Sequence, residues 1–121
     1  MKIDLIKTFD NEDEFCGYDV FVDGDHLMNL VQTCWSCPEQ YDLESVLDGS
    51  MLAYFRVRHG YFRVDLGDCG GETIYDFSFG NGWDGDFEDE EQRIEQLSKG
   101  IEKIVERLRQ NTREKHADTR N

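Results

Sequence analysis

The chain has 121 residues, enough for one domain with a single hydrophobic core. Aromatic residues make up 12% of it, which argues against a disordered chain, and no apolar run is long enough to cross a membrane. The formal net charge of −14 disfavours nucleic acid and anionic membranes as partners and favours a basic protein. Because no secretory apolar segment follows Lys2, we expect a cytoplasmic protein, or one exported by another route.

The negative charge is concentrated in the first three quarters of the chain. Residues 1–92 hold 22 acids and 5 bases, a net charge of −17, whereas residues 93–121 hold 5 acids and 8 bases, a net charge of +3. An acidic surface keeps a protein soluble, and it also speeds association with a basic partner. Composition leaves both explanations open.

Alternation of apolar and polar residues predicts two strands near the start of the chain. The first is MKIDLIKTF, and the second is YDVFVDG, which ends in an Asp-Gly turn. The period then changes, because four apolar residues behind Asp25 recur at helical spacing: Leu27, Leu30, Val31 and Cys34. The pattern predicts a short helix after strand 2, ended by Pro38, and a further helical turn in YDLESVLDG.

The segment AYFRVRHGYFRVDL predicts a β-hairpin. Two-residue hairpin turns need positive φ angles, which Gly60 supplies, so we expect the turn at His59 and Gly60, with Arg56 directly opposite Arg63. One face of the hairpin then belongs to the core: Phe55, Val57, Phe62, Val64 and Leu66. The opposite face holds Tyr54, Arg56, Arg58, Tyr61, Arg63 and Asp65.

Directly opposed arginines repel each other unless negative charge lies between them. Either Asp65 and Asp76 neutralise Arg56 and Arg63, or the Tyr-Arg face contacts a partner, since these residue types are common at binding hot spots. The sequence leaves both interpretations open.

Two further elements complete the predicted fold. The segment TIYDFSF predicts a strand with Tyr75, Phe77 and Phe79 inward and Asp76 outward. A helix follows, with one apolar stripe formed by Ile94, Leu97, Ile101, Ile104, Val105 and Leu108. We therefore expect a single α+β domain over residues 1–110. It consists of an antiparallel sheet of about five strands packed on the C-terminal amphipathic helix, with a polar, frayed tail over residues 111–121.

The stretch FGNGWDGDFEDEEQ, residues 79–92, holds six carboxylates just before that helix. A helix dipole favours acids at its start, so we expect Asp84 or Asp86 as the cap and an i,i+4 ion pair of Asp89 with Arg93. An EF-hand loop starting at Asp84 does not fit, because its sixth position, normally glycine, is Asp89. Capping explains only some of the acids. We therefore predict a partner-binding site made of Trp83, Asp84, Asp86, Glu88 and Asp89.

The pair Cys34 and Cys37 in CWSC has the spacing of a zinc half-site or a redox pair. No second such pair exists, and the residues that could complete a ligand set are Cys16, Cys69, His26 and His59. At the end of the predicted helix the dipole disfavours a thiolate, so small core residues are the simpler interpretation. No other spacing indicates a nucleophile, base or ligand set, and we predict no catalytic residue, no metal and no cofactor.

In size, charge and α+β layout the chain resembles the small acidic immunity proteins of bacterial toxin–immunity systems, including contact-dependent growth inhibition. The stretches that carry the resemblance are GYDVFVDGDHLMNLV and GNGWDGDFEDEE. It implies a non-enzymatic inhibitor that binds a cognate toxin domain, often a basic nuclease, and covers its active site. The alternatives are a phage-type DNA mimic that occupies a nucleic-acid-binding host protein, and a zinc or redox protein using Cys34 and Cys37.

Overall fold

The computed structural model describes residues 1–8, 17–35, 38–67, 70–80 and 85–118. These ranges contain β1 Ile3–Thr8, β2 Gly17–Val22, β3 Asp25–Trp35, β4 Glu39–Ser45, β5 Met51–Arg58, β6 Tyr61–Leu66, β7 Thr73–Ser78 and α1 Glu90–Asp118. Each strand pairs antiparallel with the next, so the order in the sheet is the order in the chain. No helix in the described ranges is both long enough and apolar enough to span a bilayer.

The sequence pattern was wrong about the number of strands and about a short helix after strand 2. The segment predicted as that helix is the strand β3, and YDLESVLDG contains most of β4 in place of a helical turn. Among the described side chains of β3, those of Met28, Leu30 and Gln32 are buried, and they follow the strand period of two. Leu27 and Val31 are 44% and 42% exposed. The helical spacing in the sequence therefore arose partly from apolar residues that lie outside the core.

The predicted hairpin is confirmed as β5 and β6. Its register places Arg56 directly opposite Arg63, and the turn residues His59 and Gly60 have φ angles of 55° and 68°. These positive angles are the ones that a two-residue turn between twisted strands requires. The inward residues Phe55, Val57, Phe62 and Val64 are buried, as expected.

The helix α1 covers one face of the sheet with the predicted apolar stripe. Leu97, Ile101, Ile104 and Val105 are buried, and Ile94 and Leu108 pack against them. α1 contacts both edge strands, β1 and β7, so the sheet must curve around it. Register shifts in the β2–β3, β3–β4, β4–β5 and β6–β7 pairings favour this curvature, because bulges increase strand twist. The backbone stays helical to Asp118, past the expected domain end at residue 110.

Gly100 determines how closely α1 approaches the sheet. A Cβ atom at this position would lie 2.8 Å from Cγ2 of Val64 and 3.0 Å from Cε2 of Phe55. An alanine would gain roughly 1 kcal/mol of helix propensity but lose about 1–3 kcal/mol to overpacking. The close approach of helix and sheet therefore favours glycine here, in spite of its low helix propensity.

Phe62→Ala should destabilise the protein by about 3–5 kcal/mol, because it opens a cavity in a full core. The Phe62 ring is fully buried and packs against Phe55, Tyr75 and Phe87. Tyr61→Ala is the matched control on the exposed side of the same strand and should cost less than about 1 kcal/mol. Urea unfolding measures both values, and equal losses would contradict the assignment of the two faces.

Candidate functional site

The start of α1 is fixed to the sheet by an ion pair between Glu39 of β4 and Arg93. The Glu39 side chain is 0% exposed, and Arg93 donates to it from Nε at 2.9 Å and from Nη2 at 3.1 Å. This forked contact is a strong geometry for arginine and a carboxylate. Hydrogen bonding to Glu39 raises the pKa of Arg93, so the guanidinium stays charged. The predicted ion pair with Asp89 is wrong, because Arg93 reaches Glu39 and Glu90 instead.

Two tyrosines extend this buried polar network. The Tyr41 hydroxyl donates to Glu39 Oε2 at 2.6 Å, and burial together with the Glu39 charge raises the pKa of Tyr41. Tyr18 donates to Glu90 Oε1 at 3.0 Å, and Arg93 Nη1 donates to Glu90 Oε2 at 2.5 Å. The network therefore joins β2, β4 and the first turn of α1.

Glu39 also holds the chain that leads from β7 into α1. Its backbone N–H donates to the carbonyl of Gly85 at 2.8 Å, and the N–H of Phe87 donates to Glu39 Oε1 at 3.3 Å. The Phe87 ring is buried against Phe62 and Phe79. Because both neighbours of Asp86 are held by Glu39, one through its backbone N–H and one through its carboxylate, Glu39 determines the position of this acidic segment.

The helix cap is Asp89, and the prediction of Asp86 as the cap is wrong. Asp89 Oδ1 accepts from the N–H of Gln92 at 2.7 Å, and Gln92 Oε1 accepts from the N–H of Glu88 at 2.8 Å. This arrangement satisfies two N–H groups at the start of α1, which begins at Glu90. The other predicted cap, Asp84, lies outside the described residues.

An acidic groove lies between β7 and the first turns of α1. Its volume is about 290 Å³, and its lining is Phe77, Glu88, Asp89, Glu91, Gln92, Glu95, Gln96 and Lys99. Lys99 pairs with Glu95 at 3.1 Å, and that hydrogen bond raises the pKa of Lys99. Within the described ranges, the carboxylates of Glu88, Asp89 and Glu91 have no ion-pair partner. The groove therefore combines excess negative charge with an aromatic side chain, that of Phe77.

The predicted partner-binding residues converge on this groove only in part. Glu88 and Asp89 line it, while Asp86 is half-buried in the segment that precedes it. The remaining two, Trp83 and Asp84, lie outside the described residues. Asp89 has a structural task as well, since its side chain caps α1.

Four residues that position or line the groove were missed from the sequence. Glu91 and Glu95 are spaced i,i+4, so helical spacing could have placed them on one face. Glu39 and Arg93 had no such signal, because 54 residues separate them in the chain. The one signal for Glu39 is its spacing of two from Tyr41 and of four from Leu43, which places all three residues on the same, inward face of a strand.

The opposed arginines of the hairpin are neutralised only in part. Arg63 Nε lies 3.1 Å from Asp65 Oδ2, but the N–H is not aligned for a hydrogen bond. Asp76 accepts from the Tyr61 hydroxyl at 3.0 Å. The Nε of Arg56 is buried without an acceptor in the described ranges, and such an unpaired donor costs about 1–3 kcal/mol.

Cys34 is half-buried on β3, so the prediction that CWSC ends a helix is wrong. Cys37 lies outside the described residues. Among the residues that are described, no three His, Cys, Asp or Glu side chains are grouped as metal ligands would be. The thiolate argument based on a helix dipole therefore no longer applies to Cys34.

Comparison of the chain with protein families, curated proteins and solved structures finds no match.

Arg93→Met should destabilise the protein by about 3–5 kcal/mol, because it leaves Glu39 buried and charged without its partner. Arg107→Met is the matched control, since Arg107 pairs with Glu72 at the surface, and it should cost about 1 kcal/mol or less. The double variant Glu39→Gln/Arg93→Met should cost less than the sum of its two single changes. Urea unfolding gives the four values, and strict additivity would show that the pair is not coupled.

Glu90→Gln should destabilise the protein at neutral pH and progressively less in acid. Burial raises the pKa of Glu90, but hydrogen bonds from Tyr18 and Arg93 outweigh it and bring the pKa below its ordinary 4.5. A carboxylate whose pKa is lowered by folding stabilises fully above its unfolded-state pKa, and that stabilisation disappears as pH falls through the folded-state pKa.

The measurement is urea unfolding of the wild-type protein and Glu90→Gln between about pH 7 and pH 3. The control is Glu91→Gln. Glu91 is exposed and does not make the contacts with Tyr18 and Arg93 that Glu90 makes. A stability difference for Glu90→Gln that does not shrink in acid would show that Tyr18 and Arg93 do not favour the charged form.

Proposed function

We propose that this chain is a non-enzymatic immunity protein that binds a cognate bacterial toxin domain and neutralises it in the cytoplasm. The observation that carries the proposal is the acidic groove at the start of α1, which Phe77 lines together with four carboxylates and one lysine. The proposed partner is a basic protein, and no cofactor takes part. The proposed contact residues are those predicted from the sequence, Trp83, Asp84, Asp86, Glu88 and Asp89, together with Glu91 and Glu95.

Charge and aromatic contact would affect different rate constants in this complex. A cluster of carboxylates raises the association rate of a basic protein by long-range attraction, an effect that salt weakens. An aromatic residue contributes after contact, when water leaves its surface, and therefore mainly slows dissociation. Phe77 in the groove and Trp83 in the preceding segment are candidates for that anchor.

The overall charge supports a protein partner over other ligands. A net charge of −14 repels nucleic acid, so a toxin that itself binds nucleic acid through a basic surface fits this chain better than the nucleic acid does. The resemblance in size and acidity to bacterial immunity proteins suggests that such a toxin would be encoded next to this chain.

The direct test of immunity is growth. The polypeptide encoded immediately upstream of this gene is expressed in a bacterial host, with and without this chain. The proposal expects growth arrest without the chain and recovery with it. If the neighbouring product is not toxic, or if the chain gives no protection, the immunity assignment is rejected. Displacement of DNA from a host protein would then favour a DNA mimic.

The triple variant Glu88→Gln, Glu91→Gln and Glu95→Gln should slow association with that toxin about tenfold at low salt, with little change in dissociation. Asp89 is left unchanged because its loss would remove the helix cap. Trp83→Ala should mainly speed dissociation. Surface plasmon resonance at several salt concentrations separates the two rates.

The matched control removes three carboxylates away from the groove, through Asp4→Asn, Glu102→Gln and Glu106→Gln. It has the same net charge as the triple groove variant, so a general charge effect would slow both proteins equally. Equal association rates for the two triple variants would place the interface elsewhere, in the base-free segment 8–55 or on the Tyr-Arg face of the hairpin.

A further inference from the structure

A second cavity lies on the face of the sheet opposite α1. Its volume is about 470 Å³, within the range of small-molecule sites. The residues that line it belong to the β5–β6 hairpin: Arg56, Arg58, His59, Tyr61 and Arg63. Three of the five bases of residues 1–92 therefore meet at one place in a strongly acidic chain.

The described lining of this arginine cavity contains three guanidinium groups and no carboxylate, while Asp65 and Asp76 lie beside Arg63. Arg63 is paired with Asp65, whereas no carboxylate of the described ranges forms an ion pair with Arg56 or Arg58. Arg58 Nε donates to Nε2 of His59 at 3.2 Å, and this contact supplies no negative charge to balance the Arg58 guanidinium. The Nε atoms of Arg56 and Arg63 are shielded from solvent and have no acceptor in the described ranges. Guanidinium donors without an acceptor are therefore present at this cavity.

The register brings the guanidinium groups together. Arg56 and Arg63 are direct cross-strand partners, and the Cβ atoms of such partners lie about 4.5–5.5 Å apart. The Tyr61 hydroxyl already donates a hydrogen bond to Asp76, so the donors available in the cavity are guanidinium N–H groups. Planar guanidinium groups match the geometry of phosphate oxygens and bind them in a forked manner.

We propose that the arginine cavity binds a phosphate group carried by a small molecule. Asp65 and Asp76 lie beside Arg63, but several guanidinium donors on one cavity suit the three or four oxygens of a phosphate better than the two oxygens of a carboxylate. A polynucleotide would bring many phosphates against a protein of net charge −14 and would be repelled. This site is separate from the acidic groove, and its ligand does not depend on the proposed immunity function.

The test uses the full chain labelled with ¹⁵N and follows the Arg Nε–Hε resonances during titration with inorganic phosphate and then with pyrophosphate. Sodium chloride keeps the ionic strength constant. The expected result is saturable binding at one site, with the largest shifts at Arg56 and Arg63. Arg56→Gln should weaken that binding about tenfold or more, because it removes a charge-assisted hydrogen-bond donor.

Arg109→Gln is the matched control, since it removes one positive charge at a distant surface pair with Asp23 and should leave phosphate affinity unchanged. Arg58→Gln provides a second loss-of-binding variant should Arg56→Gln fold poorly. Shifts that do not saturate, or equal affinity in all variants, would overturn the proposal. Binding of a hexaglutamate peptide without binding of either phosphate probe would also overturn it and assign the cavity to protein carboxylates.

Discussion

The fold depends on one fully buried carboxylate, that of Glu39. A charge removed from water is costly unless other groups satisfy it completely. Here the side chain accepts from the Tyr41 hydroxyl, the Phe87 N–H and two nitrogens of Arg93. These donors come from the sheet, from the connection before α1 and from α1 itself. The contact therefore determines where the helix begins, and with it the position of every carboxylate in the acidic groove.

This polar contact and the apolar core act at different places along α1. Leu97, Ile101 and Ile104 hold the helix against the concave face of the sheet through burial of apolar area. Hydrophobic contact has little directionality. The forked Arg93–Glu39 pair is directional, and it fixes the orientation of the helix at its first turn. Near the other end, ion pairs of Arg107 with Glu72 and of Arg109 with Asp23 lie at the surface, where such pairs contribute little.

The fold gathers carboxylates and arginines on two different surfaces. Carboxylates collect between β7 and α1, whereas arginines collect on the opposite face of the β5–β6 hairpin. Strand alternation produces part of this separation, because Arg56 and Arg63 must point away from the face that buries Phe55 and Phe62. The capping of α1 by Asp89 produces another part, since acids are favoured at a helix start. An acidic protein can thus present two surfaces with opposite preferences for ligands.

Local patterns were enough to predict the β5–β6 hairpin and α1. The hairpin follows from His59-Gly60 and from alternation, and the helix follows from an apolar stripe with steps of three and four residues. For β3 and β4 local patterns failed. Leu27, Leu30 and Val31 fit a helical period, yet Leu27 and Val31 are exposed, and only pairing with β2 and β4 selects the strand. Strand formation there depends on neighbours distant in sequence, which a short window does not contain.

The same distinction applies to the site. The sequence by itself determined the strong acidity, the excess of carboxylates before α1 and the opposition of Arg56 to Arg63, because each follows from composition or from local geometry. Only the tertiary structure decided that Glu39 is buried, that Arg93 binds it across 54 residues, and that Phe77 meets Glu88 and Glu95 in one groove. Those contacts join the helix to separate strands of the sheet, and their energy comes from desolvation and close packing, which exist only once the sheet and helix have come together.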